Sequence, residues 1–304
     1  MADNQETQTA NAEGSENLEL LDRIISEGGM ANEPSQVGYA KVMLGTLASE
    51  LLDEGMTFSP DKGLVATINE RVAEIDQILT DQLNAIMHHP DFQSLEGSWQ
   101  GLKDLVFGSE TSGRLKIRLM VASKKELLTD LESAVDYDMS VLFKKVYEEE
   151  YGTFGGNPFS MLLGDYYFGR HPQDVALLER ISKVAAAAHA PFIAAPSPAL
   201  FDMKSFTDIG TPRDFSKIFE SAELVAWNSF RESEDSRYIA LALPRYASRL
   251  PYGAATRPID KFAFEEDVNG KDHNKYLWTN SAFLLGLRIT EAFAKYGWTT
   301  AIRS

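Results

Sequence analysis

Hydrophobic and polar positions in NLELLDRIISEGGM, residues 17–30, sort at helical spacing. Leu18, Leu20, Leu21, Ile24 and Ile25 share one half of the helical wheel, and Glu19, Asp22, Arg23, Ser26 and Glu27 share the other. The spacing predicts a short helix at about 17–27, ended by Gly28 and Gly29. VGYAKVMLGTLASELLDEG, residues 37–55, predicts a second helix stopped by Gly55. In the stretch 59–90, Leu64, Ile68, Val72, Ile75, Ile78, Leu79, Leu83 and Ile86 form the stripe of a longer helix, with Pro90 closing it. LEGSWQGLKDLVFGS, residues 95–109, predicts another short helix.

The pattern then changes period. RLKIRLMVAS, residues 114–123, alternates basic and apolar residues from Arg114 to Met120, which predicts a strand. KKELLTDLESA and MSVLFKKVYEEEYG predict helices, and YGTFGGNP a turn. FSMLLGDYYF predicts an apolar strand, HPQDVALLERISKVAAAAHA a helix and PFIAAPS a second apolar strand. Pro172 near the first helical position and Asp174 in the first turn both suit that helix. Such a unit has the length of a right-handed parallel crossover. TPRDFSKIFES and SAELVAWNSFRES predict two helices, RYIALALP a further strand and NSAFLLGLRITEAFAKYGW a final helix. The expected fold is α/β: a mixed sheet with strand–helix–strand units and a helical N-terminal region. Residues 1–34 are expected to be a flexible acidic leader carrying the short helix, 35–110 a helical region and 111–304 the α/β body.

The isolated first helix poses a physical problem. A helix of that length is marginal alone in water, so its apolar face must dock. One reading folds it back onto its own domain. The other lays it, as a tethered recognition helix, into a partner's groove. Burial is worth about 1.5–3 kcal/mol per aliphatic side chain. Ordering the tether takes much of that back, so binding near the micromolar range is expected.

Composition narrows the chemistry. With 304 residues, 44% of them hydrophobic, the chain has material for a sizeable core. A formal net charge of −16 argues against a nucleic-acid-tracking surface or attraction to an anionic membrane. There are no cysteines, which excludes disulfides, thiolate metal sites and cysteine nucleophiles. The first residues lack a secretory signal pattern, and no uninterrupted apolar run reaches the ~18 residues of a membrane span. A cytoplasmic location is the expectation.

Candidate reactive groups are few. YGTFGGNP has neither phosphate-loop nor dinucleotide fingerprint, and it precedes a strand. Asp165 and His171 lie at the end of a strand and in the next connection, where ligands gather in open α/β sheets. They are a candidate acid–base pair for a hydrolase, although no G-x-S-x-G elbow supplies a nucleophile. Otherwise His171 caps the next helix and Asp165 satisfies loop amides. His88 and His89 are adjacent and point to different faces of a helix, while His189 and His273 stand alone. No metal or cofactor is expected. RESEDSRY, residues 231–238, is a solvated charge run or an inter-subunit network. Trp99, Trp227, Trp278 and Trp298 are expected in the core, with interface anchoring as the other reading.

Six stretches together carry a family resemblance: IMHHPDFQSLEGSWQGL; FKKVYEEEYGTFGGNPFSMLLGDYYFGRHPQDVALLERIS; AAAAHAPFIAAPSPALF; SFRESEDSRYIALALPR; RLPYG; and FEEDVNGKDHNKYLWTNSAFLLGLRITEAFAKYGW. The chain from about residue 17 resembles the large sheath subunit of the bacterial type VI secretion system, the TssC/VipB family. The resemblance implies structural work and no catalysis. Large subunits pair with the small sheath subunit (TssB/VipA), stack with neighbouring large subunits around the inner tube protein (Hcp), and contract to drive the tube outward. It also implies an AAA+ ATPase, ClpV, that recycles contracted sheath by recognising a short N-terminal helix. LELLDRIISEG is similar to that helix, which carries the contact role onto Leu18, Leu20, Leu21, Ile24 and Ile25. Family members continue beyond YGWTTAIRS into a C-terminal part with interlocking strands, so that part is expected to be missing here. An adaptor or decoy that binds the ATPase without building sheath is the alternative.

Overall fold

The computed structural model describes residues 33–53, 64–210, 214–260 and 262–299, together with Ile25, Ala31 and Ile302. Contacts divide the chain into two compact units, residues 1–73 and 74–304. In the first unit, Pro34 starts a 3-10 turn, Pro34–Gln36, which leads into helix α1 (Val37–Asp53). Ala40 is buried while Tyr39, Val42 and Met43 are exposed. Ile25 is helical and 2% exposed.

Helix α2 (Leu64–Met87) has the expected stripe, but Ile75, Ile78, Leu79 and Ile86 are exposed. Pro90 does not merely close it. It sits in the first turn of α3 (Pro90–Gly108), where its missing N–H costs nothing, and the His89 side chain accepts from Asp91 N at 3.3 Å. Helix α4 (Lys124–Ser133) opens with a capping box between Ser123 and Glu126. Helix α5 (Val141–Phe143) continues as a π turn, Lys144–Glu148. YGTFGGNP is the turn expected: Gly155 sits at φ +81°, a conformation costly for other residues.

The strand–helix–strand reading holds. Strand β1 (Leu162–Phe168) leads through α6 (Pro172–Ala187) to β2 (Phe192–Pro196). Helices α7 (Phe215–Phe219) and α8 (Val225–Glu232) precede β3 (Ile239–Leu241). The three strands form one parallel sheet, ordered β1-β2-β3, with Leu163 beside Ile193 and Ile193 beside Ala240. All five residues of β2 are buried. Phe192 and Ala194 join α6 residues Leu177, Leu178, Ile181 and Val184 in the main core. Alternation places Leu163 and Ile193 on the opposite face. There helix α9 (Ser281–Tyr296) packs, and Gly286 leaves room for the Leu163 side chain. Antiparallel pairing occurs in a separate small sheet: β4 (Tyr246–Ala247) pairs with β5 (Trp278–Thr279).

One predicted strand is not a strand. Residues 115–123 form no helix, turn or bend, yet they belong to neither sheet. The alternating side chains favour an extended backbone, but a strand also needs a ladder partner, and none lies alongside among the described residues.

Candidate functional site

The ridge expected from the sequence to meet an ATPase lies mostly outside the described residues: Leu18, Leu20, Leu21 and Ile24 do, and only Ile25 is placed. Its burial is a fact about the free chain. A groove-binding role for it requires that it first be uncovered.

Both residues of the catalytic alternative, Asp165 and His171, are among the described residues. Asp165 accepts from Asn280 Nδ2 at 3.2 Å, and the same amide reaches Tyr166 O at 3.3 Å. Asn280 Oδ1 meanwhile caps α9 by accepting from Ala282 N at 2.8 Å. Asp165 therefore ties β1 to the start of α9. His171 is the N-cap of α6 and accepts from Gln173 N at 3.3 Å. Each residue is engaged by a different structural partner, and no contact links the two. His171 caps a helix as its alternative reading expected, whereas Asp165 holds the Asn280 side chain and no loop backbone amide.

Asp165 also lines a cleft of about 420 Å³ with His88, Gln93, Tyr167, Arg245 and Trp278. Burial, the leading cause, pushes the Tyr167 hydroxyl up to about 12, so it stays protonated. Tyr246, on β4, is likewise raised, first by burial and then by the Asp104 carboxylate that its hydroxyl reaches at 3.3 Å. The cleft brings Asp165 beside Tyr167, and His171 is not among its lining residues. Among the described residues no group of three or more acidic or histidine side chains is arranged to hold a metal ion. No described helix is long and apolar enough to cross a membrane.

A buried ion cluster lies outside the site residues expected from the sequence. Arg249 bridges two carboxylates: Nε to Glu96 Oε1 at 2.6 Å and Nη1 to Glu266 Oε2 at 2.7 Å. Its guanidinium also lies over the Tyr252 ring at 4.8 Å. The Arg249 and Glu266 side chains are 5% and 1% exposed. Burial opposes the Arg249 charge, but the hydrogen bonds to Glu96 and Glu266 outweigh it and raise its pKa. Glu266 further accepts from Tyr252 N at 2.8 Å, and His88 Nε2 stands 3.5 Å from its Oε1. The cluster joins the end of α2, helix α3 and two loops. Three of the resemblance stretches meet in it: His88 and Glu96 come from the first, Arg249 from RLPYG and Glu266 from FEEDVNG.

The aromatic expectations divide. Trp227 is buried, and Trp278 donates Nε1–H to His273 O at 2.6 Å. Trp99 and Trp298 are not core residues: Trp99, on α3, and Trp298, just past the end of α9, are both exposed. The charge run at 231–238 is at the surface, with an exposed Arg237–Glu234 pair at 3.2 Å.

Residues 69–304 match the family described as VipB: EvpB/VC_A0108, tail sheath N-terminal domain. The chain belongs to the VipB tail-sheath family. It is 48% identical over 260 residues to the type VI secretion system sheath protein TssC1 of Pseudomonas aeruginosa, an alignment covering 85% of this chain and 52% of that relative. The chain thus spans about half the length of the curated relative it matches. The Arg249 cluster, the parallel sheet and the cleft all lie within the VipB match, whereas residues 17–27 precede it.

Proposed function

We propose that this chain serves as a structural subunit of a contractile type VI secretion sheath. It would pair with the small sheath subunit and stack with its own kind around an inner tube. The family match over residues 69–304 carries the reading. Surface chemistry supports it: Ile75, Ile78 and Ile86 on α2 and Trp99 and Phe107 on α3 are exposed. Apolar side chains of that size on a surface favour association. Co-expression with the small subunit should give a stable complex, and with inner tube protein present, tubes visible by electron microscopy. Failure to co-purify with the small subunit would count against the reading.

The ridge Leu18, Leu20, Leu21, Ile24 and Ile25 is the proposed handle for the recycling AAA+ ATPase. Ile25 is 2% exposed, so the handle is proposed to be released on contraction. A labelled peptide of residues 10–32 should bind the ATPase with Kd in the range of about 1 μM. Leu21→Asp together with Ile24→Asp should abolish the anisotropy change. Unchanged affinity of that double variant would refute the assignment.

A further inference from the structure

Asn269 and Gly270 lie exposed in the loop between Glu266, a member of the buried ion cluster, and the 3-10 turn His273–Lys275. An asparagine is the more thermolabile when glycine follows it, because no Cβ blocks the approach of the next backbone nitrogen to the side-chain amide. The pair Asn–Gly occurs once in the sequence, here. The loop adds its own geometry. Asn269 Oδ1 accepts from Lys271 N at 3.0 Å and from Asp272 N at 3.1 Å. The first bond closes a ring of atoms that includes Gly270 N, so the side-chain carbonyl carbon is kept close to that nitrogen. Both N–H groups also aim at the oxygen that gains charge when the carbon is attacked. The Gly270 N–H and the Asn269 Nδ2 group have no partner among the described residues, so neither nucleophile nor leaving group is tied down. Gly270 sits at φ +74°, and a Cβ there would meet only the Tyr276 hydroxyl, at 3.9 Å.

We propose that Asn269 is a site of spontaneous deamidation, ageing into aspartate and isoaspartate within the folded chain. Gly270 N gives its proton to solvent base and bonds to Asn269 Cγ. The Cγ–Nδ2 bond then breaks, and the nitrogen leaves as ammonia with its third hydrogen drawn from water. Water opens the resulting cyclic imide at either carbonyl, giving aspartate or isoaspartate, and nothing is oxidised or reduced. The other described asparagines lack this arrangement. Asn69, Asn84 and Asn228 lie within helices, where the following N–H belongs to the ladder. Asn157 precedes Pro158, which has no N–H. The Asn280 amide is held by Asp165, and after Asn274 the Lys275 N–H donates to Asp272 O at 3.3 Å. Deamidation adds a negative charge between Asp267 and Asp272, and the isoaspartyl product adds a methylene to the main chain of the loop. The inference goes beyond the sheath reading and does not depend on it.

The test incubates the full chain, folded and at mildly alkaline pH, in heavy-oxygen water, and maps its peptides by mass spectrometry. The peptide containing Asn269 should convert ahead of every peptide carrying another described asparagine and take up heavy oxygen from solvent. It should also become a substrate for an isoaspartyl methyltransferase. Conversion should quicken as pH rises, because the attacking nitrogen must shed its proton. Gly270→Ala places a Cβ on the attacking residue at a φ that side chains avoid, and should slow conversion at least ~10-fold. Asn269→Gln, which needs a larger ring to cyclise, should give no methyltransferase signal from this peptide. An Asn269 that stays intact over a period that converts it in the urea-unfolded chain would overturn the proposal. So would aspartate without isoaspartate, earlier conversion of another described asparagine, or an undiminished rate in Gly270→Ala.

Discussion

Strand β2 and the segment Lys116–Val121 are both short and rich in aliphatic residues, yet they occupy opposite extremes of burial. Phe192–Pro196 has a parallel neighbour on each edge and helices α6 and α9 over its faces, and all five residues are buried. Residues 116–121 have no ladder and leave Val121 94% exposed. The difference lies in what surrounds each stretch. Pro191, the tight end of α6 and the crossover geometry deliver β2 into the middle of a sheet. A serine turn at one end and a capping box at the other fix the ends of 114–123, and no ladder partner lies beside it among the described residues. Backbone conformation is local, whereas pairing is a property of the whole topology.

The largest effect should come from charging the buried stretch. Ile193 is 4% exposed between Leu163 and Ala240. Ile193→Asp places an unpaired carboxylate there and should cost at least ~4 kcal/mol, read as a collapse of the urea midpoint or loss of folding. A loss below about 1 kcal/mol would mean that β2 is not the closed centre described. Second comes the buried ion cluster. Arg249→Ala leaves Glu266 charged and unpaired and should cost about 3–5 kcal/mol by the same measurement.

These two positions also mark what could be read from the sequence. The apolar runs around β1 and β2, the Pro172 start of α6 and the final helix announce themselves through local period and punctuation. The pairing of Arg249 with Glu96 joins residues 153 positions apart, and no local pattern encodes it. Strands β4 and β5 are two residues each, too short to show alternation. Asp165 and His171 show the reverse failing. Their residue types suggested chemistry, and only their partners, Asn280 and Gln173 N, reveal a tie and a cap. The α2 stripe is helical as its spacing implied, but periodicity says which residues share a face and not whether anything covers it.

A smaller effect should follow from loosening the pin at the end of the open segment. Ser123→Ala removes the N-cap bond to Glu126 N and should cost about 1 kcal/mol. The Glu126 carboxyl is held below its ordinary range by the Ser123 backbone N–H and then by its hydroxyl. Its contribution is therefore present above the unfolded-state value and is lost as pH falls through the lower folded value. In Ser123→Ala, a carboxyl titration followed by NMR should move up toward the ordinary glutamate range, though part of the depression persists through the backbone bond.

The smallest effect belongs to Val121→Asp, the counterpart of the Ile193 change on the open edge. The same hydrophobic-to-charged substitution is expected to leave the free chain within about 0.5 kcal/mol of the parent, because an exposed carboxylate keeps its water. If Val121→Asp instead costs several kcal/mol, that side chain is covered in solution, and the contrast between the two stretches fails. If the free chain is unaffected while co-assembly with another subunit is weakened, the cost has moved from folding to association. That outcome separates a strand that completes its own domain from one completed by a partner.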